Sequence, residues 1–256
     1  MLVDTHCHIH DDKIFPLNSD ETIERALQAD VTQMLCIGTD EQSSLKAIEF
    51  AESHDDVAFA AIGVHPHEAK NGCRELEKLI QLGSKKLVAI GEIGLDYHYD
   101  HSPRDVQIKV LQAQIELALK YNLPIIFHVR EAYDDFWPIL DNFQFAGQQI
   151  RGVLHSFTDS PENAEKAIKR GLYVGINGFS TFTKDIPQQQ MFATLPLDKI
   201  LLETDAPFLT PVPFRGKINE PAFVRNIAMH QSLIRNISIN EIASQTTENA
   251  RALFGL

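Results

Sequence analysis

The stretch that decides the fold runs from residue 87 to residue 127. Leu87-Val88-Ala89-Ile90 is a short apolar run, residues 106–121 (VQIKVLQAQIELALKY) repeat apolar positions three and four apart, and Pro124-Ile125-Ile126-Phe127 is apolar again. Short runs that are apolar throughout suit buried parallel strands, and the helical repeat between them suits a crossover helix. The alternation extends both ways. Strand-like runs fall at residues 2–3, 33–37, 57–62, 152–154, 172–175 and 200–202. Helical patterns fall at 20–29, 42–53, 74–82, 132–142, 161–170, 220–235 and 238–254, with Ser160-Pro161 and Ser238 as starts. Eight strands alternating with helices fit an eight-stranded barrel or an open doubly wound sheet. No Gly-x-Gly-x-x-Gly follows the first run, so dinucleotide binding has no support. A length of 256 residues favours the barrel. The expected architecture is a single-domain (β/α)8 TIM barrel over residues 1–256.

Composition narrows the class further. Fifteen Phe and 44% hydrophobic residues exclude a disordered chain. The longest apolar stretch, residues 57–64 (VAFAAIGV), is far too short to span a membrane. Met1-Leu2-Val3-Asp4 has no basic or apolar leader region, so no secretory signal is expected. Three scattered cysteines (Cys7, Cys36, Cys73) read as free thiols, which points to the cytoplasm. The net charge of −12 argues against electrostatic wrapping of nucleic acid, which needs clustered Lys and Arg. It leaves open a nucleic acid gripped at one place, where bound cations change the local sign.

The chemistry lies just after the strand runs. Asp4-Thr5-His6-Cys7-His8 follows the first, Gly91-Glu92-Ile93-Gly94-Leu95-Asp96-Tyr97 the fourth, His128 the fifth, His155 the sixth, and Glu203-Thr204-Asp205 the eighth. In a barrel all these strand ends converge on one face. His6 and His8, two apart on an extended strand, point the same way, into the barrel. Imidazoles with carboxylates suit divalent zinc, manganese or similar ions. Six ligands exceed the need of one tetrahedral ion, so two divalent cations sharing a carboxylate is the economical count. Each residue has a plainer reading: His128 or His155 as a core histidine, Glu92 as a partner of an Arg, Asp205 as a helix cap. Five separate strand ends carrying ligands at once are not explained that way.

The ordered set DTHCH (4–8), GVHPH (63–67), GEIGLDYH (91–98), PIIFHVREA (124–132), HSF (155–157), ETDAPFLTP (203–211) and RGKINEP (215–221) resembles the TatD family of metal-dependent hydrolases, within the amidohydrolase-like barrels. The resemblance covers essentially the whole chain. It implies a cytosolic nuclease, with 3′–5′ exonuclease activity on DNA typical and RNA activity also known. It also implies that His6, His8, Glu92 and Asp205 hold one metal, and Glu92, His128 and His155 the other, with Glu92 bridging. Many members carry Cys where Ser156 stands and Arg where Ile218 stands; the second change removes one phosphate contact. Many related barrel amidohydrolases bridge their metals with a carboxylated Lys. Glu92 is already a carboxylate, which tilts the reading from cyclic amides towards phosphoesters.

The expected function is therefore a phosphodiesterase dependent on Mg²⁺, Mn²⁺ or Zn²⁺ and acting on DNA, or RNA, from an end. Asp205 and Glu92 are the expected catalytic residues, with Asp205 the general base and Glu203 set deeper in the barrel. His65 and His67 are candidate phosphate contacts or loop-forming residues, and Pro66 fixes the backbone between them. Arg130 is a candidate phosphate clamp or ion-pair partner. Arg215 and Lys217 form the best local basic patch, or else a solvated loop. Phe157, Phe179 and Phe182 are candidates for base stacking or for the core. Cys7 reads as packing, and His54, His98 and His101 as surface residues. The alternative function is an amidohydrolase or phosphatase acting on a small metabolite with the same metals.

Overall fold

In strand β2 (Val31–Ile37), Met34, Leu35, Cys36 and Ile37 are all buried, so both faces of the strand are covered. The computed structural model describes residues 1–99 and 101–256 and sets seven more strands around this one. They are β1 (Leu2–Cys7), β3 (Ala58–Ile62), β4 (Leu87–Asp96), β5 (Ile125–Arg130), β6 (Gly152–Leu154), β7 (Tyr173–Ile176) and β8 (Ile200–Leu202). They form one sheet in the order β1 to β8, and each neighbouring pair is parallel. The first and last strands meet where Cys7 lies opposite Ala206. There the His8 N–H donates to the Ala206 carbonyl (2.9 Å) and the Asp205 N–H to the His6 carbonyl (2.9 Å). The expected (β/α)8 barrel is the observed fold.

Helices α1 (Ser19–Gln28), α2 (Glu41–Ser53), α3 (Leu76–Gln81), α4 (Arg104–Lys120), α5 (Tyr133–Phe145), α6 (Pro161–Lys169), α7 (Ile186–Thr194), α8 (Val224–Arg235) and α9 (Ile239–Phe254) connect and cover the strands. Ser160 caps α6 and Ser238 caps α9, each accepting a backbone N–H from three residues on. The sequence pattern did not announce α7. Only Met191 and Phe192 of that helix are buried, so it has no apolar stripe, and its start is set by Asp185 accepting from the Gln188 N–H (2.8 Å). No helix among the described residues is long and apolar enough to cross a membrane.

Alternation along the strands builds two layers. Val3, Leu35, Ile37, Ala61, Ala89, Ile126, Val153 and Leu201 pack together as an inner layer, joined by Leu253 and Phe254 of α9. Met34, Cys36, Ile90, Ile93, Leu95 and Phe127 belong to the larger cluster shared with the surrounding helices. Helix α9 seals the N-terminal ends of the strands: Asn249 Nδ2 donates to the carbonyls of Leu197 (2.9 Å) and Ile200 (2.8 Å), and Thr247 Oγ1 to that of Met1 (3.3 Å).

Two bulges then re-aim the strands at the opposite end. Between Asp4 and Cys7, β1 uses three steps where β2 uses two, and between Ile90 and Ile93, β4 uses three where β5 uses two. An extra residue reverses which side chains face inward. Val3 and Ala89 are inner residues before the bulges; His6, His8, Glu92 and Asp96 face inward after them, while Cys7, Ile93 and Leu95 pack outward. The apolar floor thus gives way to a polar mouth.

Candidate metal centre

At the mouth, the His8 Nδ1–H donates to the Ile37 carbonyl (2.9 Å), which leaves the Nε2 lone pair facing inward. That Nε2 lies 3.6 Å from Glu92 Oε1 and 3.7 Å from Asp205 Oδ1. His6 Nε2 lies 3.7 Å from each of the same two oxygens. These separations are too wide for hydrogen bonds. They match ligand atoms sharing one ion, since metal–ligand bonds of about 2.1 Å put tetrahedral ligands roughly 3.4 Å apart. Both ring nitrogens of His6 are buried without a hydrogen-bond partner. A buried imidazole left unpaired is costly, and a cation would satisfy its Nε2. Burial lowers the His6 pKa to about 4, which keeps the ring neutral as a ligand requires.

The other oxygen of Glu92 faces a second set. Glu92 Oε2 lies 2.8 Å from His155 Nε2, 3.4 Å from His128 Nδ1 and 3.9 Å from His65 Nε2. Among the described residues, three groups have ligand atoms close enough to hold a metal: His6, His8 and Asp205; His65, Glu92 and His128; and His6, His155 and Glu203. All six residues expected as ligands are brought together. The grouping differs from the expectation in two ways. His65, read as a phosphate contact, lies beside Glu92 and His128, and His155 stacks on His6 with ring centroids 3.9 Å apart.

Asp96 completes the cluster, and the sequence reading did not single it out. Its Oδ2 accepts from His128 Nε2 (3.1 Å) and His67 Nε2 (3.0 Å), and its Oδ1 from the N–H groups of His98 (2.9 Å) and Tyr99 (3.0 Å). Burial pushes its carboxyl pKa up, but the bonds from His128 and His67 win and hold it far below the usual carboxylate range. His128 is raised to about 9 because Asp96 and Glu92 outweigh its own burial, so an ion on its Nδ1 would take the place of a proton there. The available signal was spacing: Glu92, Gly94 and Asp96 alternate onto one face of β4. Gly94 lets β5 approach, since a Cβ there would lie 1.7 Å from the His128 carbonyl oxygen.

Asp205 stands at φ +59°, in the left-handed region, where Asp is better tolerated than most residues. Its neighbour Glu203 is 1% exposed, deeper than Asp205 as expected; burial raises its pKa well above the usual value. Glu203 accepts from the Ser156 N–H, and Ser156 Oγ in turn accepts from Asn177 Nδ2 (2.7 Å). Asp4 ties the first strand to the segment that follows the last, accepting from the Thr204 N–H (2.8 Å) and hydroxyl (2.5 Å).

His67 is committed to Asp96. Arg130 is exposed at the end of β5, with its guanidinium 4.9 Å from the centre of the Tyr99 ring. Arg215 lies 3.7 Å from the centre of the Phe182 ring and donates to the Thr210 carbonyl (2.8 Å). Lys217 is exposed, 5.3 Å from the centre of Phe214. Phe157 is 2% exposed, so of its two readings the structure takes the core one. Phe179 packs edge-on against Phe182 (5.4 Å). Cys7 is buried in the outer layer, His98 and His101 are exposed, and His54 is half-buried beside Asp20.

Residues 3–255 match the family model described as TatD related DNase. The chain belongs to this family. This TatD-family hydrolase is 41% identical over 256 residues to the uncharacterized metal-dependent hydrolase YabD of Bacillus subtilis, covering 99% of each chain. It is 35% identical over 251 residues to the 3′-5′ ssDNA/RNA exonuclease TatD of Erwinia amylovora, covering 94% of this chain and 95% of that one. Among solved structures, the TatD homologue YJJV of Escherichia coli K12 superposes with a TM-score of 0.91 at 29% identity, covering 100% of this chain and 98% of that one.

Proposed function

We propose that this TatD-family hydrolase is a phosphodiesterase that removes nucleotides from the 3′ end of DNA, and of RNA, using two divalent cations. The observation that carries the reading is Glu92, whose Oε1 faces His6 and His8 and whose Oε2 faces His128 and His155. His6, His8 and Asp205 would hold one ion with Glu92 Oε1, and His128 and His155 the other with Glu92 Oε2, His65 standing beside them. When bound, such ions polarise a phosphoryl oxygen and acidify the attacking water.

The chain's own groups do the rest. Asp205 takes the proton of the attacking water on its carboxylate, with one oxygen turned to His6 and His8. Asp96 holds the His128 ring through Nε2 and leaves Nδ1 facing Glu92. Arg130 and Lys217, exposed at the rim, meet backbone phosphates. Grip at one end needs few phosphate contacts, which reconciles a polyanionic substrate with a net charge of −12. The relatives named 3′-5′ ssDNA/RNA exonuclease support this substrate class.

The test uses end-labelled single- and double-stranded oligonucleotides, chelated enzyme, and Mg²⁺, Mn²⁺ or Zn²⁺ added back singly. Stepwise shortening from the 3′ end that requires a metal is expected. Intact oligonucleotides together with hydrolysis of p-nitrophenyl phosphate or of a dihydropyrimidine ring would replace this reading with the small-metabolite one.

A further inference from the structure

Among the described Phe, Tyr and Trp side chains, two are exposed: Tyr99 at 44% and Phe208 at 52%. Aromatic rings contribute most when buried, so the area each leaves in water is open to a partner. Both stand at the mouth of the barrel. Phe208 follows β8, with its ring centroid 6.4 Å from that of His8. Tyr99 follows β4: His67, which is bonded to Asp96, meets its ring edge-on (5.5 Å), His101 stacks on it (5.8 Å) and the Arg130 guanidinium lies 4.9 Å from its centre. In a ring of eight strands in sequential order, β4 and β8 lie four positions apart, on opposite sides of the opening.

Neither ring is on a loose loop. The Phe208 N–H donates to the Asp205 carbonyl (2.8 Å), and the Phe208 carbonyl accepts from Nδ2 of the fully buried Asn219, which also holds the Thr204 carbonyl (2.8 Å). The Tyr99 N–H donates to Asp96 Oδ1 (3.0 Å). Each aromatic is therefore fixed by its backbone to the residues of the metal cluster. Pre-organised but exposed rings on either side of a charged centre fit flat, unpaired ligand rings joined by an anion.

We propose that Phe208 and Tyr99 are stacking platforms for the two nucleobases flanking the scissile phosphodiester, so that the site takes a single-stranded end with those bases splayed apart. The inference rests on the nucleic-acid reading above and adds to it the residues that hold the two bases. Stacking is neutral and available to every base. It supplies affinity to an acidic protein without added Lys or Arg, and it makes duplex ends fray before they enter. The base takes the face of Tyr99 that the Arg130 guanidinium covers, and Arg130 turns to the phosphate on that side.

The experiment crosses protein and substrate deletions. Wild type, F208A, F208W and Y99A, loaded with metal, are assayed for KM and kcat on a single-stranded oligonucleotide and on the same strand with an abasic terminal or penultimate residue. Wild type is expected to favour the complete strand by roughly 10- to 100-fold in kcat/KM, the range that one stacked base supplies. F208A is expected to lose the discrimination at one of the two positions and Y99A at the other, chiefly through KM, while F208W keeps it. A 2-aminopurine in place of the base, on a cleavage-resistant phosphorothioate strand, should be quenched by wild type and not by F208A. Should F208A fail to fold, the wild-type comparison of complete and abasic strands still decides. Cleavage of both strands at equal rates by wild type, or losses in F208A and Y99A that simply add to the abasic loss, would overturn the inference alone. A wild-type enzyme that leaves every oligonucleotide intact would overturn the nucleic-acid reading and this inference with it.

Discussion

Asp96 Oδ2 lies 3.1 Å from His128 Nε2, on the side of the ring away from Glu92. The same oxygen holds His67, so one buried carboxylate orients two imidazoles at the mouth. A carboxylate behind a ligand histidine fixes its tautomer and raises its basicity. Asp96→Asn replaces one of the two accepting oxygens by an amide N–H donor, so with its remaining oxygen on the His98 and Tyr99 N–H groups it cannot accept from His128, which is then free to turn. The expected outcome is a loss of about 10- to 100-fold in affinity for one metal, read by titration against a competing chelator. Unchanged affinity would remove Asp96 from the support of the metal centre.

Glu92→Gln keeps the shape of the side chain and loses the charge that faces both histidine groups. Elemental analysis after dialysis should give two divalent ions per wild-type chain and a loss of both in the variant. Retention of one ion at full affinity would mean that Glu92 serves a single site.

Asp205→Asn can still coordinate through its carbonyl oxygen, but it cannot take a proton. Turnover at saturating metal is expected to fall by about 10²–10⁴-fold, the usual worth of a general base, with metal content largely kept. Near-normal turnover across a pH series would assign the proton elsewhere.

Arg215 and Lys217 should separate, although the sequence presents them as one patch. Arg215 is committed to Phe182 and to the Thr210 carbonyl, and a cation over a ring contributes about 0.5–1 kcal/mol at an exposed site. Arg215→Ala should therefore lower the melting temperature by about 1–3 °C. Lys217→Ala should leave it unchanged, raise KM for oligonucleotides more than for a small phosphoester, and flatten the salt dependence. Differential scanning fluorimetry and KM against ionic strength distinguish the two; equal behaviour would restore the single patch.

The sequence by itself determined the barrel and the set of residues at its mouth. Buried parallel strands are short and apolar on both faces, so all eight are visible as runs, and the first polar residues beyond them lie at one end of the barrel. His6, His8, Glu92, His128, His155 and Asp205 are found this way because position along a strand is local information. Alternation also makes His6 and His8 point to one side. Which side they take was decided by the bulge between Asp4 and Cys7, for a strict period of two from the inner residue Val3 would turn both outward. The bulge between Ile90 and Ile93 does the same for Glu92 and Asp96. β4 runs on to Asp96, well past its apolar run, because there its inward side chains are partnered by histidines rather than by the core. The same holds for Asp96 behind His128, His65 beside Glu92, and Phe208 opposite Tyr99. Each depends on what a distant strand brings to the same place, and a register shift of one residue, invisible in composition or periodicity, sets it.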